Sequence, residues 1–164
     1  MSSRKILIVY DSRDGTTRKV ADVVAEGTKR VSRVAVELKK ADDVSAEDVL
    51  GVEGFAFGSP SHFGLMSGKI LTVLTDLYSV RDKMSGKPMA VFTTGAGDQA
   101  AALEHIEQIV AVFKPEFVKP GVAIETVAGR AGPWEVDRAN AAALGERLAR
   151  AVAKEKPYDT KDLF

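Results

Sequence analysis

Short apolar runs alternate with longer stretches of helical periodicity along the whole chain. The apolar runs predict strands at residues 5–10, 34–39, 54–58, 88–93 and 118–126. The periodicity between them predicts helices at residues 17–31, 47–50, 67–77, 99–113 and 133–153. Strands that are apolar throughout, each followed by a helix, are typical of a parallel sheet buried on both faces. The pattern therefore predicts an α/β fold built from a repeated strand and helix.

The second strand differs from the others. Val34, Val36 and Leu38 alternate with other residue types, and Lys39 and Lys40 follow. Alternation indicates a strand with one exposed face, and a charged border is typical of a sheet edge. We therefore expect this strand at the edge of the sheet.

Composition narrows the function. The 164 residues suit a single domain over 1–164, with 154–164 as a loosely docked tail. Lys plus Arg equals Asp plus Glu at 23 each, so nothing in the charge favours nucleic acid or an anionic membrane surface. Because the chain has no cysteine, we expect neither a thiolate metal site nor cysteine redox chemistry, and any electrons must travel on a cofactor.

The sequence also bears on location. Residues 1–5 lead directly into an apolar strand, and no apolar run approaches the roughly 18 to 20 residues of a membrane span. We therefore expect a cytoplasmic protein without membrane insertion.

The first candidate site is the loop at residues 11–17. Ligands of open parallel sheets bind beyond the carboxyl ends of the strands. This loop follows the first strand, is rich in hydroxyls and places Gly15 directly before a helix, which lets N–H and hydroxyl groups converge on an anion. It lacks the Gly-Lys-Ser/Thr of a triphosphate loop and the three glycines of a dinucleotide fingerprint. A plain polar helix cap is the alternative interpretation.

Two further loops strengthen the case for a ligand. Residues 58–68 follow the third strand and combine hydroxyl, aromatic and thioether groups with three glycines, where a connection of about two to six residues would suffice. Residues 93–99 follow the fourth strand, and their small side chains permit close approach of a ligand to the backbone. Together these loops indicate a ligand that is planar and partly polar.

The order of the three loops resembles that of the flavodoxin-like FMN proteins. The motifs are Ser12-x-x-Gly15-x-Thr17, then Gly58-Ser59-Pro60-x-x-Phe63-Gly64-x-Met66-Ser67-Gly68, then Thr93-Thr94-Gly95. The middle motif is most similar to that of the WrbA-type NAD(P)H:quinone oxidoreductases. The resemblance covers nearly the whole chain. It implies a three-layer sandwich with a five-stranded parallel sheet of order 2-1-3-4-5 and helices on both faces.

The same resemblance implies FMN as the cofactor and assigns residues to it. The phosphate would be bound by Ser12, Arg13, Gly15, Thr16 and Thr17. The flavin ring would be bordered by Ser59, Pro60, Ser61, His62, Phe63 and Gly64. Its other polar edge would be lined by Thr94, Gly95, Ala96, Gly97 and Asp98.

Several single residues leave alternatives open. His62 is the candidate proton source for a reduced quinone, although a solvated loop histidine is the commoner case, and we expect His105 to be structural. Asp14 stands where flavodoxins favour a hydroxyl, so we expect its carboxylate to turn outward, with Arg13 or Arg18 compensating. Trp134 either reaches the flavin or staples the last helix.

The acidic run Asp42, Asp43, Glu47 and Asp48 lacks the spacing of a cation site, so we interpret it as a solvated surface.

The function these features indicate is an FMN oxidoreductase that passes electrons from NAD(P)H through the flavin to a quinone. The alternative is a flavodoxin that carries single electrons between protein partners without its own NAD(P)H turnover. The balanced charge favours the enzyme, because flavodoxins are generally acidic. The short chain favours the carrier, because the quinone reductases usually have an extra segment. The lack of room for that segment also argues against their tetramer. A homodimer is left open.

Overall fold

The computed structural model describes residues 3–126 and 134–154, and for Trp134 the backbone alone. The predicted roles of the Trp134 side chain and of residues 155–164 lie outside this part. The strands are β1 (Arg4–Tyr10), β2 (Val34–Lys40), β3 (Val52–His62), β4 (Leu65–Met66), β5 (Pro88–Gly95), β6 (Glu116–Phe117) and β7 (Val122–Glu125). The helices are α1 (Thr16–Thr28), α2 (Gly68–Leu77), α3 (Gln99–Val110) and α4 (Trp134–Ala153). Short 3-10 turns lie at Ala41–Asp43, Ala46–Val49, Tyr78–Lys83 and Ala111–Phe113.

The parallel sheet has the predicted order. β2 pairs with β1, β1 with β3, and β3 with β5, while β6 and β7 both pair with β5. β6 and β7 together occupy the place of the fifth predicted strand, and β2 lies at the edge as expected. The α/β flavodoxin-like fold is confirmed, with β4 as an added antiparallel strand against β3.

Two of the predicted strands differ most from the observed ones. The third strand continues to His62 because the polar residues after Gly58 still pair with β5, so half of the predicted loop is strand. The fifth strand is interrupted between Phe117 and Val122, where Pro120 has no backbone N–H to contribute to a ladder.

Two buried clusters hold the layers together. The first packs α1 and α4 on one face of the sheet and includes Ile8, Val24 and Leu148. The second packs α2 and α3 on the other face and includes Phe57 and Ile70. Because both faces are covered, the strands are apolar throughout, and polar side chains concentrate at the strand ends.

Helices α1 and α4 pack closely through a reciprocal pair of glycines. A Cβ at Gly27 would overlap the carbonyl oxygen of Ala142, and a Cβ at Gly145 would overlap that of Val24. These two glycines therefore set how closely the helices approach each other.

Candidate functional site

The carboxyl ends of β1, β3 and β5 meet at one edge of the sheet. Tyr10 of β1 lies beside Gly58 of β3, and Pro60 of β3 lies beside Thr94 of β5. This register brings together the first loop (residues 11–15), the β3–β4 hairpin (residues 59–66) and the third loop (residues 96–98). The three predicted loops therefore form a single candidate site.

The first loop ends at an open helix start. Gly15 is the N-cap of α1 with φ of 93°, and no atom lies within 4 Å of where its Cβ would be. A left-handed residue at this position favours glycine. Ser12 Oγ accepts a hydrogen bond from the Arg18 backbone N–H at 3.2 Å, and the first turn of α1 contains no acidic residue. The helix dipole and the first N–H groups therefore make this end attractive to an anion.

Asp14 does not turn outward as predicted. Its Oδ1 accepts a hydrogen bond from the Thr16 backbone N–H at 3.0 Å, because the side chain is short enough to reach an N–H two residues on. That hydrogen bond holds the pKa of the Asp14 carboxyl below its usual value. A carboxylate therefore already occupies one of the donors at this helix start.

Of the two arginines expected to offset the charge of Asp14, one is paired within the protein and the other is not. Arg18 is engaged elsewhere, with Nε 3.0 Å from Asp22 Oδ1 and Nη1 2.6 Å from the Tyr10 hydroxyl. Arg13 is exposed and forms no ion pair within residues 3–126 and 134–154. Arg13 is therefore the cation available to a ligand at the first loop.

The β3–β4 hairpin presents an aromatic ring at its tip. Phe63 and Gly64 form a two-residue turn with φ of 57° and 79°, both in the left-handed region that a type I′ turn requires. Ser61 pairs with Met66 and His62 with Leu65 across the turn. The Phe63 side chain is 99% exposed, so the hairpin offers a bare planar platform to a ligand.

Ser59 is a buried residue of the β3–β4 hairpin. It is fully buried, accepts a hydrogen bond from the Ser67 backbone N–H at 2.8 Å and donates to the Pro60 carbonyl at 2.8 Å. Both hydrogen bonds lie within the hairpin region, so this hydroxyl shapes the hairpin instead of facing a ligand. A contact between Ser59 and a cofactor therefore stays a prediction, and its hydroxyl is not the group that would make it.

Side chains from beyond β5 hold the hairpin. Asp98 Oδ2 accepts a hydrogen bond from the Gly64 N–H at 3.0 Å, and the Asp98 carbonyl accepts from Ser61 Oγ at 3.3 Å. His105 Nδ1 accepts from the Met66 N–H at 3.0 Å. Gly95 permits this close approach, because a Cβ there would lie 2.7 Å from Asp98 Oδ1.

The third loop is also joined to the first. Thr17 Oγ1 and Thr94 Oγ1 lie 2.9 Å apart, and both residues are nearly fully buried. Ala96 and Gly97 are exposed, and the Gly97 N–H donates to Gln99 Oε1 at 2.8 Å. The buried threonine pair fixes the spacing of the two loops, and the exposed pair leaves backbone accessible.

A cavity of about 810 Å³ lies beside the first loop. It is lined by Asp11, Ser12, Arg13, Ala41, Asp42, Val44, His62, Ser67, Gly68, Lys69, Thr72, Val73 and Asp76. His62 faces this cavity, whereas its neighbour Ser61 faces the third loop, as the alternation of a strand dictates. The structure therefore brings His62 close to the first loop and separates it from the third.

Two residues of the acidic run form ion pairs. Lys69 Nζ lies 2.8 Å from Asp42 Oδ2, and Lys39 Nζ lies 2.7 Å from Asp48 Oδ1. The hydrogen bond to Asp42 raises the pKa of Lys69. Over the described residues, no group of three or more metal-binding side chains is present, and no helix is long and apolar enough to cross a membrane.

Sequence reasoning missed the residues that reach the site from distant positions. Lys69, Thr72 and Asp76 of α2 line the cavity, and His105 of α3 holds the hairpin. The sequence does not indicate which loop a single polar residue of a helix will face.

The amino-acid sequence is similar to those of known flavodoxins. A family model described as a flavodoxin domain matches residues 7–130. The chain is 34% identical over 111 residues to a flavodoxin of Aquifex aeolicus, covering 65% of this chain and 60% of the relative. It is 29% identical over 157 residues to a flavodoxin of Clostridium saccharobutylicum, covering 90% and 97%.

A quinone oxidoreductase and a solved flavodoxin structure are also similar to this chain. The chain is 25% identical over 131 residues to the quinone oxidoreductase QR2 of Triphysaria versicolor, covering 64% of each. An archaeal flavodoxin structure superposes with a TM-score of 0.81 at 21% identity, covering 92% of this chain and 99% of that one. At that identity the superposition supports the fold alone.

Proposed function

Because this chain belongs to the flavodoxin domain family, we propose that it binds FMN and carries electrons between redox proteins. The observation that supports this most is the meeting of the first loop, the hairpin and the third loop at one edge of the sheet. Two relatives named flavodoxin favour this carrier over the NAD(P)H-driven enzyme that the middle motif and the balanced charge had favoured.

The first loop has the donors that a phosphate requires. Gly15 leaves open space before α1, no acidic residue lies in the first helical turn, and Arg13 is a free cation among the described residues. We assign the phosphate to Ser12, Arg13, Gly15, Thr16 and Thr17. Asp14, whose carboxylate already accepts from the Thr16 N–H, opposes an anion at this helix start.

The hairpin and the third loop fit a planar ring. Phe63 supplies an exposed aromatic face, and Ala96 and Gly97 leave backbone exposed. We assign the ring to Pro60, Ser61, His62, Phe63, Gly64, Thr94, Gly95, Ala96, Gly97 and Asp98. Bound FMN would supply the electron transfer chemistry, while these residues bind and orient it.

The decisive experiment is anaerobic mixing of the FMN-loaded protein with NADH and with NADPH, with and without benzoquinone. A carrier should not bleach with either nicotinamide, and a potentiometric titration should resolve two separate one-electron reductions. Rapid bleaching that benzoquinone reverses would overturn the carrier in favour of the enzyme. Failure to take up FMN would overturn both.

The second candidate is an NAD(P)H:quinone oxidoreductase. It is supported by the likeness to QR2 and by His62, which faces the cavity beside the first loop and could deliver a proton to a reduced quinone. If this enzyme is present, His62→Gln should lower quinone turnover even at saturating FMN, where any loss of flavin affinity is compensated. A cytoplasmic location, a single domain over 1–164 and a homodimer stay predictions, which fractionation and sedimentation velocity would test.

A further inference from the structure

The returning strand of the hairpin is held by two side chains from outside it. β4 has only two residues, and within the described part of the chain it pairs with β3 alone. Asp98 accepts from the Gly64 N–H, and His105 Nδ1 accepts from the Met66 N–H, each at 3.0 Å. Met66 is only 4% exposed, so water has little access to replace the histidine. These two acceptors fix the position from which Phe63 projects.

The hydrogen bond to Met66 requires a neutral His105. A backbone N–H can only donate, so Nδ1 must carry a lone pair and the ring proton must be on Nε2. Protonation of the ring places a second donor opposite the Met66 N–H and abolishes the hydrogen bond. Histidine is the side chain that changes charge between pH 5 and 8.

We propose that His105 is a positioning residue whose neutral form locks the hairpin, so that the presentation of Phe63 and the binding of a flavin ring depend on pH. The effect on flavin rests on the proposed function, whereas the effect on the hairpin does not. The other titratable groups on the elements that meet here are Glu53 and His62 on β3, Glu125 on β7, and Asp98, Glu104 and Glu107 around α3. Glu107 pairs with Lys119 at 3.1 Å, Asp98 bonds Gly64, and His62 faces the cavity.

The first test uses the ligand-free protein and measures hydrogen exchange of the Met66 amide by NMR between pH 5.5 and 8, corrected for intrinsic exchange. Leaving a buried donor unpaired should lower the protection of this amide about tenfold at the acid end. His105→Ala should lack this protection at every pH. His105→Asn, whose Oδ1 can take the place of Nδ1 but does not titrate, should keep it at every pH.

Circular dichroism and thermal melting of both variants establish that they fold. Protection of Met66 in the wild type that does not change with pH, or equal protection in His105→Ala, would overturn the proposal.

The second test measures riboflavin affinity over the same pH range by flavin fluorescence. Riboflavin is the probe because a phosphate monoester itself titrates near pH 6. We expect about tenfold weaker binding by the wild type at the acid end and a flat profile for His105→Asn. The chain has only two histidines, so an acid loss that persists in His105→Asn would point to His62 and overturn the proposal. Absence of flavin binding at every pH would overturn the proposed function, while the exchange experiment would still decide the role of His105.

Discussion

Replacing Asp14 with asparagine should strengthen FMN binding by this chain. The asparagine side chain would keep an oxygen that can accept from the Thr16 N–H, where Asp14 Oδ1 lies at 3.0 Å. The substitution therefore removes a negative charge from the first loop while it preserves the local hydrogen bond. Any change in affinity then measures the repulsion between Asp14 and the phosphate of FMN.

The size of this repulsion follows from the exposure of Asp14. Two unit charges about 5 Å apart interact by about 3 kcal/mol at an effective dielectric constant of 20 and by about 0.8 kcal/mol in bulk water. Asp14 is exposed, so screening by solvent places the interaction near the lower value. A phosphate carries between one and two charges near neutral pH, which gives about 1.4 kcal/mol, or tenfold in affinity. Because the Thr16 N–H holds the Asp14 pKa below its usual value, this repulsion persists throughout the neutral range.

The assay is titration of the ligand-free protein with FMN and with riboflavin, followed by flavin fluorescence at low and high salt. Asp14→Asn should tighten FMN about tenfold at low salt, less at high salt, and leave riboflavin unchanged. Asp82→Asn is the matched control, since Asp82 is exposed in the turn after α2, at the opposite end of the sheet. Equal changes for FMN and riboflavin, or no change at low salt, would refute the electrostatic reasoning.

Three further predictions follow from the packing and the charges. Gly27→Ala should lower the free energy of unfolding in urea by about 1 to 3 kcal/mol, because its Cβ would overlap a carbonyl of α4. Gly68→Ala in α2 is the control, since its Cβ would meet no atom within 4 Å and should not destabilise the protein. Equal stabilities of the two variants would contradict the close helix contact. Phe63→Ala should weaken flavin binding by about 1 to 3 kcal/mol, because the flavin loses the ring on which it stacks. The unfolding midpoint should not change, since the Phe63 side chain is 99% exposed. Unaltered affinity would count against stacking of the flavin on Phe63. The hydrogen bond from Lys39 lowers the Asp48 pKa, so the stability that Asp48 contributes is present above its usual value of 3.8 and is lost as the pH falls through the lowered one. Asp48→Asn should flatten the acid limb of stability against pH, and an unchanged limb would exclude this contribution.

The strand order could be predicted because it depends on patterns that repeat along the chain. The apolar residues of β1 and β5 are continuous since both of their faces are covered, and the alternation in β2 reflects its partial exposure at the edge of the sheet. The end of β3 could not be predicted, because Ser59, Ser61 and His62 are polar residues that pair as a strand only when β5 and β4 lie beside them. The sequence pattern therefore identified the strands of the sheet, while the pairing of β3 with β4 and β5 determined where β3 ends.

The candidate site could likewise be predicted in part. The composition of residues 58–68 predicted a ligand surface because glycine, aromatic and hydroxyl residues concentrate there. The direction in which each side chain points depends on strand alternation, which buries Ser59 and turns His62 towards the cavity. Asp14 could not be predicted for a local reason. Repulsion from a phosphate argued for an outward carboxylate, but the carboxylate accepts a hydrogen bond from the N–H of Thr16, two residues on.

The hairpin shows why residues far along the chain matter most at this site. A two-residue turn with an exposed aromatic has few contacts of its own, so its position must be set by groups that reach its N–H donors. Asp98 lies 34 residues from Gly64, and His105 lies 39 residues from Met66. The two acceptors differ in chemistry, since a carboxylate can accept through either oxygen, whereas an imidazole accepts only through a nitrogen that carries no proton. A hairpin fixed at its tip by Asp98 and at its base by His105 should therefore loosen from the base first as the pH falls, which places pH sensitivity in the strand that supports Phe63.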